Sequence, residues 1–280
     1  MSDKPHLSPS QLDMMARCGE SYRRRYICGE VIPPGLAAAR GSGVHRGAEI
    51  NFRQKVESFD NLPTDDIVEA AVEGFKADVE RRGYRLSKDE LSKGPKAAIA
   101  DATDQTAALA AVHAEFQAPK WQPVLVEQTI RLNLPRRTHD LLAVVDCAGF
   151  PVGMEPGTPS TVVDIKTSGR RKPQSEADRS VQLTTYAAAL KVAENREDDI
   201  AVVLEVCVNN EKPVAQTLTS SRGTADFAAL SRRINAALRV IESGDFMPAP
   251  VGAWNCSPEW CGYWDTCPYV NSERKEAANG

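Results

Sequence analysis

The chain has 280 residues, 42% of them hydrophobic and 26% charged, enough for one large domain or two small ones with a real core. A formal net charge of -4 excludes a histone-like or coating mode of nucleic-acid binding while leaving room for local basic clusters. No run approaches the roughly 20 apolar residues of a membrane span, and the start Met1-Ser2-Asp3-Lys4-Pro5 lacks a signal-peptide layout, so the expectation is a cytoplasmic protein whose seven cysteines are thiols or metal ligands.

Taken in order, Leu7-Ser8-Pro9-Ser10-Gln11-Leu12 predicts a helix start, with Ser8 as N-cap, Pro9 at the first helical position and Gln11 closing a capping box. That helix carries Cys18, then Tyr22, Arg23, Arg24, Arg25 and Tyr26. Three arginines between tyrosines suit phosphate tracking with rings free to stack on bases; they suit a solvated helix face equally well. After Pro33-Pro34-Gly35, the run Arg40-Gly41-Ser42-Gly43-Val44-His45 predicts a tight glycine turn capped by Ser42, with His45 in the first turn of the next helix. A lone histidine there is more often structural than a ligand.

From about Glu57 to Pro119 the chain is rich in alanine and charge. Apolar spacing at Ile67, Ala71, Phe75 and Val79, and again at Ala107, Ala111, Val112 and Phe116, predicts several amphipathic helices punctuated at Gly83 and Gly94-Pro95. No chemistry is visible in this block, which reads as a helical insertion or lid.

Strands begin with Val124 to Leu134. Next comes Leu141-Leu142-Ala143-Val144-Val145-Asp146, apolar until it ends in an acid; a connection with Gly149, Pro151, Gly153, Pro156, Gly157 and Pro159 then leads to Thr161-Val162-Val163-Asp164-Ile165-Lys166-Thr167. Asp164 and Lys166 share a strand face by period two. Alone, an Asp-x-Lys pair is ordinarily a surface ion pair worth little. Two neighbouring strands that each carry a carboxylate, however, can build a site for a hard cation, and an adjacent lysine can act on a water beside it. Asp140 shares a face with Asp146 and is the rival ligand, while His139-Asp140 lacks the partner histidines of a phosphohydrolase pair. The loop Arg170-Arg171-Lys172 places positive charge next to this strand, where a phosphodiester backbone needs it. A helix from about Asp178 to Ala193 puts Gln182 and Tyr186 on one face. A hairpin follows around Asn209-Asn210-Glu211-Lys212, and then an amphipathic helix from Phe227 to Ile241 that stops at Gly244.

Near the C-terminal end, Cys256, Cys261 and Cys267 lie within twelve residues, set among Trp, Tyr, Gly and Pro, which reads as a metal knuckle. Four cysteines satisfy either a tetrahedral zinc site or a four-iron cluster. Cys18 and Cys28 are the candidates for the fourth ligand, and Cys147 and Cys207 read as buried thiols.

The order Cys18, Gly43-x-His45, Leu142-Ala143-Val144-Val145-Asp146, Asp164-Ile165-Lys166, Gln182-x-x-x-Tyr186, then Cys256, Cys261 and Cys267 resembles the RecB-like branch of the PD-(D/E)xK nucleases. The likeness is to the CRISPR-associated and phage exonucleases that carry an iron-sulfur cluster and to AddB-type nuclease domains. It runs from about Leu7 to Tyr269. Ala143 stands where the family usually has glycine, Asp164 where glutamate is commoner, and the gap from Cys256 to Cys261 is wider than usual.

The resemblance implies that His45, Asp146, Asp164 and the Ile165 carbonyl bind Mg2+ or Mn2+, that Lys166 positions or activates the attacking water, and that Gln182 and Tyr186 organise the lysine and the DNA. It further implies a [4Fe-4S] cluster on Cys18, Cys256, Cys261 and Cys267, with zinc as the lesser alternative. The expected fold is a mixed α/β sheet flanked by helices, of the restriction-endonuclease-like kind. A single domain spans 1–271, with a helical insertion at about 55–120, a metal clasp formed by 248–271 with Cys18, and a loose tail at 272–280. The expected function is metal-dependent DNA exonuclease activity on single strands or ends, in recombination, repair or phage DNA metabolism and with protein partners of recombination or CRISPR type. The alternatives are a weakly cutting DNA-end binding subunit on the same scaffold and a zinc-knuckle interaction protein.

Overall fold

The computed structural model describes residues 4–155, 158 and 160–270; Pro156, Gly157 and Pro159 of the expected connection, and the expected loose tail, lie outside the described residues. In chain order the elements are β1 (His6–Leu7), α1 (Pro9–Arg17), α2 (Gly19–Tyr22), α3 (Leu36–Ser58), α4 (Thr64–Arg82), α5 (Lys88–Lys93), α6 (Pro95–Phe116), β2 (Trp121–Leu132), β3 (Asp140–Pro151), β4 (Thr161–Ser168), α7 (Gln174–Asp178), α8 (Val181–Ala193), β5 (Ile200–Val208), β6 (Val214–Arg222) and α9 (Thr224–Ser243). The strands form one mixed sheet in the order β1-β3-β4-β5-β6, with β2 paired to the other edge of β3. β4 and β5 run parallel, joined through α7 and α8, whereas β2-β3, β3-β4 and β5-β6 are antiparallel.

Period two divides β5 between two cores. Val202, Leu204, Val206 and Val208 meet Leu183, Tyr186, Ala187 and Leu190 of α8 on one face, while Val203 and Cys207 meet Val44 and Phe52 of α3 and Leu109 and Val112 of α6 on the other. Each large apolar side chain buried this way contributes about 1.5–3 kcal/mol. A sheet covered on both faces explains why β5 reads as a nearly unbroken apolar run. Cys147 and Cys207 are fully buried within the α3 and α6 side of the sheet. α1 and α9 close a third cluster through Leu12, Leu230, Ile234 and Leu238.

Several expectations change. Ser8 does cap α1, accepting from the Gln11 N–H at 3.3 Å, but the Gln11 side-chain oxygen is buried without a partner, so the reciprocal half of the capping box is missing. The first helix does not continue through the arginines: Cys18 is extended (φ -164, ψ 104), its sulfur accepts from the Ser21 N–H as the cap of α2, and a turn of π-helix follows over Arg23–Ile27.

The glycine turn is absent too. Gly41, Ser42 and Gly43 lie inside α3, which starts after Gly35, and Ser42 bonds back to Ala38 O at 3.3 Å instead of capping. The glycines serve helix packing. A Cβ on Gly43 would stand 2.6 Å from the Ala71 carbonyl, and one on Gly47 would stand 2.6 Å from the Ile67 carbonyl, so α3 and α4 touch backbone to backbone.

The helical block is not a separate lid, since Leu109 and Val112 of α6 are part of the core under the sheet. β3 also runs past Asp146 to Pro151, paired to β2 on either side of the acid, so the acid sits in mid-strand.

Candidate active site

β3 and β4 pair for only three residues, Cys147↔Val163, Ala148↔Val162 and Gly149↔Thr161. The next pair in register would be Asp146 and Asp164, and there the strands part. The Ile165 N–H, released from the ladder on that side, is taken by Asp146 Oδ2 at 3.2 Å. A sheet that splits open thus presents two carboxylates side by side in its interior, with Asp164 1% and Asp146 8% exposed.

Both layers of helices reach this opening. From α3, His45 brings Nδ1 to 3.4 Å from Asp146 Oδ2. From α8, Gln182 Nε2 donates to Asp164 Oδ1 at 2.9 Å and to the Tyr186 hydroxyl at 2.7 Å. Lys166 Nζ donates to the same Asp164 oxygen at 3.0 Å. His45, Asp146, Asp164, Lys166, Gln182 and Tyr186 are therefore brought together from four elements, α3, β3, β4 and α8.

Glu127 was not anticipated. It lies on β2 between the pairs Val126↔Cys147 and Gln128↔Val145, opposite Asp146, with φ +48, a left-handed conformation that costs a non-glycine residue about 1–3 kcal/mol. One ligand atom each from His45, Glu127 and Asp146 can be chosen so that all lie within 4.8 Å of one another. In the sequence the hint is a single acid, Val126-Glu127-Gln128, inside an otherwise apolar alternation; strand register alone could place it beside Asp146. Asp140, the rival ligand, is committed elsewhere: it is buried, held by Arg131 Nε at 2.8 Å, and accepts from the Leu134 N–H.

The electrostatics suit a cation. Burial raises the Asp164 carboxyl to about 6, opposed by Lys166 and assisted by Asp146. Burial also raises Asp146, and burial together with Asp146 and Glu49 raises Glu127 to about 7. Burial and the Lys166 ammonium lower His45 to about 4, so its imidazole is neutral at pH 7 with a lone pair available to a metal. For Lys166, burial opposes the charge, but Asp164 and Asp146 outweigh it and its pKa rises. Burial, then the two aspartates, hold the Tyr186 hydroxyl protonated. Once ionised, the crowded carboxylates of Asp146, Asp164 and Glu127 exceed the single Lys166 ammonium beside them, and with the neutral histidine they form a donor set that matches a hard divalent ion.

A cleft of about 940 Å³ opens from His45, Glu127, Asp146 and Lys166 along α3 and α4. A second, of about 520 Å³, lies across Lys166 and is lined by Asp164, Gln182 and Lys172. Of the expected basic contacts, Lys172 therefore stands at the site, while Arg170 and Arg171 are exposed on the loop beyond β4. Arg23, Arg24 and Arg25 line neither cleft. Arg23 binds Glu20 twice at 2.8 Å. Arg24 is nearly buried, bonded to Glu30 and Thr266, and lies 4.7 Å over the Tyr263 ring, so it fastens the start of the chain to the cysteine segment.

Cys18, Cys256, Cys261 and Cys267 line one cavity of about 320 Å³, and Cys28 does not. Among the described residues, no three thiol sulfurs lie mutually within 4.8 Å, so they are not drawn into the tight tetrahedron of a zinc site, whose Zn–S bonds of about 2.3 Å bring the sulfurs closer. Trp264 lines the same cavity, and its indole N–H is buried without a partner.

A family model described as the PD-(D/E)XK nuclease superfamily matches residues 6–268. Among solved structures, the chain is similar to a "putative exonuclease" from Eubacterium rectale, with a TM-score of 0.52 and 12% identity over 96% of this chain and 90% of that one, a likeness of fold. No curated protein matches the chain in sequence.

Proposed function

The chain belongs to the PD-(D/E)XK nuclease superfamily, and from that premise we propose that it is a metal-dependent DNA exonuclease acting on single strands or ends. The observation that carries the reading is the pair of buried carboxylates at the parting of β3 and β4, with a neutral histidine on one side and a lysine on the other.

His45, Asp146, Asp164 and the Ile165 carbonyl would hold Mg2+ or Mn2+, with Glu127 as an added ligand. A divalent ion there acidifies a water and neutralises phosphate charge. The chain supplies the rest. Lys166 keeps its proton because Asp164 and Asp146 favour the ammonium, and it contributes fixed positive charge where oxyanion charge develops. Gln182 bridges Asp164 and Tyr186, so α8 orients the carboxylate and, through it, the lysine.

A [4Fe-4S] cluster on Cys18, Cys256, Cys261 and Cys267 is part of the same reading. Its support is the shared cavity and the unpartnered Trp264 N–H, a donor suited to cluster sulfur. Such a cluster would tie α1 to the chain's last segment. A role in recombination, repair or phage DNA metabolism follows from the resemblance alone.

The test compares wild type with Lys166→Ala on end-labelled linear and closed circular single-stranded DNA in Mn2+, Mg2+ and EDTA. Metal-dependent loss of the linear strand, abolished by the substitution and absent on circles, is expected. Binding without cleavage by both proteins in every metal would sink the enzyme reading in favour of a DNA-end scaffold.

A further inference from the structure

The large cleft that starts at His45 and Asp146 has a wall the reaction scheme above leaves unused. Gly74, Ala77, Asp78, Arg81 and Arg82 of α4 all line it, at spacings that put them on one helix face. Its extent is fixed from α3: a Cβ on Gly74 would stand 2.7 Å from the Arg46 Cβ, so α4 starts along the cleft in contact with the residue next to His45. From Gly74 to Arg82 the helix then advances about 12 Å. Arg46 therefore stands near the carboxylates, and Arg81 and Arg82 stand about two turns of helix farther out.

The charges on this wall are arranged to be held in place. Asp78 is 5% exposed; it takes Arg81 Nη2 at 2.9 Å and also binds Arg82, which reaches Ser42 of α3 at 3.1 Å. Glu49 likewise binds two arginines, Arg46 and Arg53, each at 2.9 Å. One carboxylate per two guanidinium groups leaves each cluster one positive charge in excess. Each guanidinium has five N–H donors, and most stay available. Ordinary solvated pairs of opposite charge on a helix match one acid to one base and need no buried acid. Here the acid is the inner partner, and Arg46, Arg81 and Arg82 line the cleft.

We propose that Arg46, Arg81 and Arg82 form a phosphate-binding track on which a single DNA strand lies as it reaches the His45, Asp146 and Asp164 group. The single strand is the substrate of the nuclease reading, and its backbone phosphates are what these guanidinium groups would meet. Arginine suits the task through forked contacts to phosphate oxygens. The strand's bases need no specific partner, so binding is independent of sequence. This inference rests on the nuclease reading and assigns its substrate contacts to a helix of the block between α3 and the sheet.

The experiment measures binding of a short fluorescein-labelled oligothymidylate in EDTA across a salt series, for wild type, Arg81→Gln/Arg82→Gln and Arg81→Lys/Arg82→Lys. Each lost phosphate contact removes about 0.7 from the slope of log affinity against log salt. The glutamine variant should therefore lose about 1.4 of slope and bind about tenfold to a hundredfold more weakly. In Mn2+ its KM should rise by a similar factor while kcat changes much less. The lysine variant, which keeps the charge and the Asp78 ion pairs, should regain most of the slope. An unchanged slope and KM in the glutamine variant, or a lysine variant that folds but binds as weakly as the glutamine one, overturns the track. Absence of metal-dependent cleavage by wild type would instead overturn the nuclease reading, since the binding arm contains no metal.

Discussion

Asp164→Asn should make the metal-free protein more stable while destroying its reaction. Burial lifts this carboxyl from 3.8 to about 6, roughly 2 units, and at about 1.4 kcal/mol per unit its ionised form costs about 3 kcal/mol. The sign follows from the direction of the shift. Because the folded pKa lies above the unfolded one, the cost is absent below pH 3.8, grows as pH rises, and is complete once pH exceeds about 6. The amide keeps the shape and discards the charge. That shift already contains the opposing pull of Lys166, whose Nζ lies 3.0 Å from Asp164 Oδ1, so a net gain of about 3 kcal/mol is expected at pH 8 in EDTA, or about 6–12 °C in Tm. At pH 4.5 the gain should fall to about 1 kcal/mol. Mn2+ at a thousandfold its Kd should reverse the order, because it adds about 4.1 kcal/mol to wild type and little to the variant. Thermal and urea unfolding with EDTA and with Mn2+ measure all three conditions. A variant less stable than wild type in EDTA at pH 8 would refute the reasoning, because the Asp164–Lys166 pair would then outweigh the burial of its charge.

Mn2+ affinity should rise between pH 6 and pH 8 with net proton release, since Asp164 at about 6 and Glu127 at about 7 must ionise to bind; calorimetry in buffers of different ionisation enthalpy counts the protons, and Glu127→Gln should remove its own share of the release and weaken the affinity about tenfold. Gly47→Ala drives a methyl to 2.6 Å from the Ile67 carbonyl, so urea unfolding should read a loss of about 1–3 kcal/mol, and cleavage should fall because His45 is two residues away on the same helix. Cys261→Ser, purified without oxygen, should lose bound iron and the broad visible absorption of a cluster, as measured by metal analysis and spectrum, whereas Cys28→Ser should keep both because Cys28 does not line the cavity.

The sequence by itself determined most of the strands and most of the side chains that meet at the candidate site. Near-continuous, β-branched apolar runs at Leu141–Val145 and Val202–Val208 read as buried strands, and Asp164 and Lys166 share a face because strand geometry has period two. Gln182 and Tyr186 meet because residues four apart on a helix do. These are local rules, and local sequence carries them. What only the tertiary structure decided depends on contacts between distant segments. The parting of β3 from β4 after three pairs made Asp146 a site residue in mid-strand, and the register of β2 brought Glu127 opposite it. The glycines around His45 read as a turn because glycine permits one; they are helical because α4 needs its backbone against theirs. Likewise, Arg81 and Arg82 read as one end of an amphipathic helix, and only the packing of α4 along α3 turns them toward the carboxylates. Spacing along the chain fixes which residues share a face, but which faces meet is set by packing among segments that the sequence keeps far apart.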